Sequence, residues 1–195
     1  MLNITIHKTD APKEKPAKGT ALGFGNLFTD HMFLMDYSPD QGWHDARIVP
    51  YGPLTLDPAA SVLHYGQACF EGLKAYRGPD GKVRLFRPDC NGRRMMQSMR
   101  RMCMPEIPEE DFVQAIRALC RVEEAWVPDE IGSSLYFRPL AIATTPKLGV
   151  HASGNYLFCV LASPAGTYYP TGMEPVRIYV EPHYIRAAEG GTGFT

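Results

Sequence analysis

The sequence predicts an α+β fold, because strands and helices fall in separate runs with no regular strand–helix–strand alternation. Three observations carry that reading. SSLYFRPLAIAT (133–144) and NYLFCVLAS (155–163) are long apolar runs of strand type joined by a short connection. GPDG at 78–81 is turn chemistry inside CFEGLKAYRGPDGKVRLFRP (69–88), whose flanks alternate apolar and polar, as in a β-hairpin. PEEDFVQAIRALCRVEEAW (108–126) sets Phe112, Ala115, Ile116, Leu119 and Cys120 at helical spacing, with three acids crowding its first turn.

The remaining elements follow in chain order. KTDAPKEKPAKG (8–19) has almost nothing to bury and reads as an extended or mobile arm, so 1–19 is set apart from the domain. HMFLMDY (31–37) is a strand, and RIVPYG (47–52) is a second strand that its proline assigns to an edge. LDPAASVLHYGQ (56–67) carries a helix start, with Asp57 as cap and Pro58 at the first helical position. DCNGRRMMQSMRRM (89–102) is a helix opened by Asp89 or Asn91. SPAGTYYPTGMEP (163–175) is rich in turn residues without periodicity and reads as a linker, after which VRIYVEP (176–182) begins a fresh strand.

Twenty Lys and Arg face twenty-one Asp and Glu, so charge gives no reason to expect nucleic acid or an acidic membrane as partner. No apolar run spans a bilayer and no secretory leader opens the chain. The five cysteines (Cys69, Cys90, Cys103, Cys120, Cys159) form no C-x-x-C pair and read as free thiols, which points to the cytoplasm. The six histidines show no metal-ligand spacing, and no metal is expected.

Candidate chemistry centres on arginines. Arg93 and Arg94 open a predicted helix, where a guanidinium beside unpaired N–H groups can hold a phosphate; spacing alone favours a solvated basic face, since Arg100 and Arg101 follow. Arg138 lies inside an apolar strand, on the same face as Tyr136, and must either pair structurally or bind an anion. Phe24, Tyr65 and Tyr136 are pocket candidates that residue type alone does not separate from core. Glu71 and Lys74 read as an ordinary charge pair on the hairpin, and His64 has no nucleophile beside it.

FGNLFTDHMF (24–33), SVLHYGQACFEGLKAY (61–76), RLFRPDCNGRRM (84–95), SSLYFRP (133–139) and YIRAAEGGTG (184–193), in that order, resemble the branched-chain amino acid aminotransferases, pyridoxal-phosphate enzymes of fold type IV. The likeness runs from about residue 20 to the end. It implies a small N-terminal α/β domain over 20–163, an interdomain linker over 164–175, and over 176–195 the first strand and loop of a larger cofactor-binding domain. It also implies transfer of the amino group between Leu, Ile or Val and 2-oxoglutarate or glutamate, through a Schiff base with pyridoxal 5'-phosphate.

By the same resemblance, Arg94 holds the cofactor phosphate, while Phe24, Tyr136 and Arg138 line the substrate pocket. Tyr65, Leu148 and Val150 reach a neighbouring pocket across a homodimer. No catalytic residue is expected within 1–195, because the family's lysine would follow Thr195 directly; Lys74, Lys82 and Lys147 do not replace it. Ala188 and Glu189 depart from the family pattern before the glycines. Other fold-type IV enzymes, such as D-amino acid aminotransferase or aminodeoxychorismate lyase, lack the F-G-x-x-F-T-D-H-M block. A non-catalytic dimerising fragment is the alternative from a different class.

Overall fold

The computed structural model describes residues 1–167, 169, 174–193 and 195. The expected linker over 164–175 lies in part outside the described residues. Among these residues eight strands form one sheet: β1 (Thr5–Ile6), β2 (His31–Ser38), β3 (Gly42–Pro50), β4 (Ala68–Phe70), β5 (Leu73–Arg77), β6 (Val83–Leu85), β7 (Ser134–Ala143) and β8 (Tyr156–Ala165). Their spatial order is β1-β3-β2-β8-β7-β5-β6, with β4 also paired to β7. Every pairing is antiparallel except β1 on β3. Helices α1 (Ser61–Tyr65), α2 (Pro88–Arg101) and α3 (Glu109–Val122) complete the α+β arrangement expected from the sequence.

Period-two alternation gives the central strands two different faces. On one face Phe33, Phe137, Phe158 and Leu135 are fully buried against Met95 and Met99 of α2 and Phe112, Ile116 and Leu119 of α3. The opposite face, built from the intervening residues, buries Met32, Leu34, Ile142, Leu157 and Cys159 under Tyr51, Leu54, Leu56 and Val62. The α3 stripe is the one its spacing predicts, and its leading Glu109, Glu110 and Asp111 suit the positive end of the helix. Pro88 occupies the first turn of α2, where its missing N–H costs nothing.

Several boundaries differ from expectation for local reasons. The helix expected over 56–67 forms only at Ser61–Tyr65. Asp57 instead closes a turn, its carboxylate accepting the Ala59 N–H at 2.7 Å, and Gly66 at φ 64° stops the helix. The proline-bearing strand starts earlier, at Gly42, and ends at Pro50, with β1 outside it. The 69–88 region is a hairpin only over β5 and β6; β4 and β5 both run along β7. No strand forms at 176–182. Val176, Ile178, Tyr179 and Val180 are exposed there, and a strand requires a neighbour for its N–H and C=O groups.

The arm is extended but tethered. Asp30 accepts the Lys13 N–H (2.7 Å) and the Trp126 indole N–H (2.9 Å), and meets the Lys15 ammonium at 3.2 Å. Burial raises the Asp30 pKa, but the Trp126, Lys13 and Lys15 contacts outweigh it and hold the carboxyl below its ordinary value. His31 Nε2 accepts the Thr9 N–H at 2.9 Å, which leaves Nδ1 to donate to the buried Glu123.

Candidate functional site

The predicted residues fall into two groups. Phe24, Tyr136 and Arg138 meet around one cavity of about 190 Å³, which Phe28, Leu161 and Ser163 also line. The register Tyr136↔Ser163 and Arg138↔Leu161 between β7 and β8 sets that floor. The Phe24 and Tyr136 rings lie 4.9 Å apart at 56°. Arg138 Nε donates to Tyr136 Oη at 3.0 Å, and its guanidinium stacks over the Phe70 ring at 4.5 Å. No carboxylate lies within ion-pair distance of Arg138 among the described residues. A partly buried cation held by aromatic faces and a hydroxyl, and facing an apolar cavity, is suited to an anionic ligand group.

Arg94 sits on α2 and is not among the residues that line this cavity. Its Nε and Nη2 donate side-on to the Glu71 carboxylate, and Glu71 in turn raises the Arg94 pKa. Nη1 makes no hydrogen bond to a described residue, and the side chain is 61% exposed. Arg93 is instead tied to Asp89 at 2.7 Å and to Glu109 at 3.4 Å, an exposed ion network. His64 Nε2 donates to the Pro58 carbonyl at 2.8 Å, a structural contact.

The second group stands apart. Tyr65 is 47% exposed on α1, and Leu148 and Val150, the latter 93% exposed, lie on the loop after β7. Lys147 N–H to Ala59 O (3.1 Å) and Ser61 N–H to Thr145 O (3.1 Å) tie that loop to α1. These side chains line no part of the Phe24–Tyr136–Arg138 cavity.

Three features of the site went unread in the sequence. Glu71 does not pair with Lys74; it is buried and binds Arg94, twenty-three residues away. Phe70 supplies the ring beneath Arg138. Gly72 makes room for Tyr136, since a Cβ there would lie 2.5 Å from Tyr136 Oη. The signal available for all three was the F-E-G tripeptide itself, an acid and a glycine interrupting an alternating strand. Cys69, next to them, has its thiol pushed up to about 11, first by burial and then by the Glu71 charge.

Comparison with solved structures defines the class first. The chain superposes on the crystal structure of a branched-chain aminotransferase from Thermoproteus uzoniensis with norvaline: TM-score 0.57, 22% identity, 72% of this chain and 43% of that one. The branched-chain amino acid aminotransferase of Escherichia coli gives a TM-score of 0.53 at 20% identity, covering 70% of this chain and 40% of that one. The fold is that of the fold-type IV aminotransferases. Sequence then narrows it: 56% identity over 192 residues to branched-chain-amino-acid transaminase 1 of Bacillus subtilis, covering 98% of this chain and 54% of the relative. In sequence the chain is similar to the branched-chain-amino-acid aminotransferases, and it spans about half the length of the curated relatives it matches. No protein-family model matches the chain.

Proposed function

We propose that this chain supplies the substrate pocket and phosphate-binding arginine of a pyridoxal-phosphate transaminase that exchanges amino groups between Leu, Ile or Val and 2-oxoglutarate or glutamate. The observation that carries the reading is the convergence of Phe24, Tyr136 and Arg138 on one cavity from widely separated segments. Bound pyridoxal phosphate would supply the electron sink for bond breaking at the substrate Cα. The residues fit that group: Arg94 is anchored on one side and keeps a free, exposed N–H edge for a dianion.

The remaining roles follow from the side chains present. Phe24, Phe28 and Leu161 offer an apolar wall that takes a branched aliphatic side chain and excludes water. Arg138 and the Tyr136 hydroxyl hold the distal carboxylate when glutamate occupies the same space. Tyr65, Leu148 and Val150 are proposed to complete the neighbouring pocket in a homodimer; their exposure and distance from this chain's own cavity support that role. Residues 164–175 are proposed as the interdomain linker, and 176–195 as the first strand and loop of the cofactor-binding domain; the exposed apolar side chains of Val176, Ile178 and Val180 accord with that reading. Five cysteines without a disulfide accord with a cytoplasmic location. Among the described residues no helix is long and apolar enough to cross a membrane.

The test is Arg138→Met in the full-length protein, assayed with glutamate and with leucine. Glutamate turnover is expected to fall by about tenfold or more beyond any loss with leucine, the scale of one charged hydrogen bond. Equal losses with both donors would remove Arg138 from carboxylate recognition.

A further inference from the structure

Glu71 is 2% exposed, the most deeply buried carboxylate at the site. Its oxygens are filled by Arg94 Nε and Nη2, by Asn91 Nδ2 at 2.8 Å and by the Gly72 N–H at 3.3 Å. Asn91 also donates to the Gly72 carbonyl at 3.1 Å, so α2 grips both residues of the Glu71–Gly72 step. The two members of the ion pair are unequal: the carboxylate is enclosed, whereas Arg94 is 61% exposed. A guanidinium that exposed needs no buried partner, and water would solvate it at little cost. Burying a carboxylate to meet it is costly and has to be explained by what the geometry does.

The ladder shows what it does. β4 and β5 share one register along β7, with Phe70 opposite Leu140 and Leu73 opposite Phe137, so Glu71 and Gly72 fill the gap between them, facing Pro139 and Arg138. Pro139 has no N–H to give, and the gap falls opposite it. Alternation sends Glu71 toward α2 and Gly72 toward the open face, where Tyr136 packs on its backbone. The interruption thus joins the arginine on one face to the tyrosine on the other.

We propose that Glu71 is a positioning residue. It locks the Arg94 guanidinium with its Nη1 edge left for the cofactor phosphate, while its neighbour Gly72 leaves room for Tyr136 on the opposite face. The inference rests on the phosphate reading of Arg94. Glu71 neutralises Arg94 and so weakens its long-range pull on a dianion; the gain is a guanidinium with no rotamer left to freeze on binding.

The experiment measures dissociation constants for pyridoxal phosphate and for pyridoxal, which lacks the phosphate, in the full-length protein and its Glu71→Gln, Arg94→Met and double variants. Glu71→Gln is expected to weaken pyridoxal phosphate by about tenfold or more, to leave pyridoxal unchanged, and to add no loss in the Arg94→Met background. Glu71→Asp, which keeps the charge one methylene short, is expected to fall between the two and serves as the variant should Gln fail to fold. Equal weakening of both ligands would mark Glu71 as merely structural. Unchanged or tighter binding of pyridoxal phosphate by Glu71→Gln would also overturn the proposal, since charge rather than orientation would then govern. If Arg94→Met itself leaves pyridoxal phosphate affinity intact, the phosphate reading fails first and takes this one with it.

Discussion

Strand β7 serves two environments at once. Leu135, Phe137, Ala141 and Ala143 point into the helix-covered core and are fully buried, while Tyr136 and Arg138, alternating with them, sit partly exposed beside the cavity. On the core face each side chain is held by many apolar neighbours, and no single polar contact decides its place. On the open face placement depends on a few specific contacts: a hydroxyl–guanidinium hydrogen bond, one stacked ring and one glycine. Rigidity is inherited from the first face and used by the second, which is how a partly exposed site stays ordered.

The largest effect should come from the core face. Phe158 is fully buried and its ring contacts Phe33, Trp43 and Phe112. Phe158→Ala is expected to cost about 3–5 kcal/mol in urea unfolding, from lost transfer energy and the cavity left behind. A loss near 1 kcal/mol would mean that the core face relaxes, and the contrast between the two faces would weaken.

Gly72→Ala probes the join between the faces. Its Cβ would lie 2.5 Å from Tyr136 Oη and 3.1 Å from Tyr136 Cε2, so the ring must move. Overpacking of this kind costs about 1–3 kcal/mol. The distinguishing expectation is a displaced Tyr136, seen in a crystal structure of the variant and as weaker substrate binding, in excess of what the stability loss explains. An unmoved ring would show that the strand shifts instead.

How much of this was legible follows the same division. The core face was readable because periodicity is a local signal: the α3 stripe and the strands at 31–38 and 134–143 stand where the sequence puts them, and the strand at 156–165 runs two residues into the stretch read as linker. Tyr136 and Arg138 were legible as a same-face pair for the same reason. Glu71 with Arg94 and His31 with Glu123 were not, because such pairs depend on how a helix docks against a sheet, which no spacing rule encodes. The hairpin expectation coupled Glu71 to Lys74, but three residues apart on one register put the two on opposite faces, and Glu71 faces α2. β1 was also illegible, since two residues of strand carry no periodicity.

Where the arm crosses the end of the sheet, Asp30 predicts a pH effect. Its carboxyl is depressed from 3.8 in the folded protein. It therefore contributes stability that is fully present above its unfolded value and is lost as pH falls through the lower folded value. Asp30→Asn should remove that part of the acid dependence below about pH 4 and leave a flatter stability profile there, measured by urea midpoints along a pH series. An unchanged slope would assign the arm's attachment to its backbone contacts alone.

The smallest stability change is expected on the open face, from Tyr136→Phe. The variant keeps the ring against Phe24 and loses only the oxygen that accepts from Arg138 Nε. Because both groups are partly exposed, water can replace that bond, and the cost should stay below about 1 kcal/mol. The site should nevertheless respond, because among the described residues Arg138 would be left with only the Phe70 and Tyr136 rings to orient it. Binding of a dicarboxylate such as 2-oxoglutarate should weaken while a monocarboxylate 2-oxo acid is spared. A variant that lost stability on the scale of Phe158→Ala would place Tyr136 with the core, and the division of β7 into a structural face and a working face would fail at its central residue.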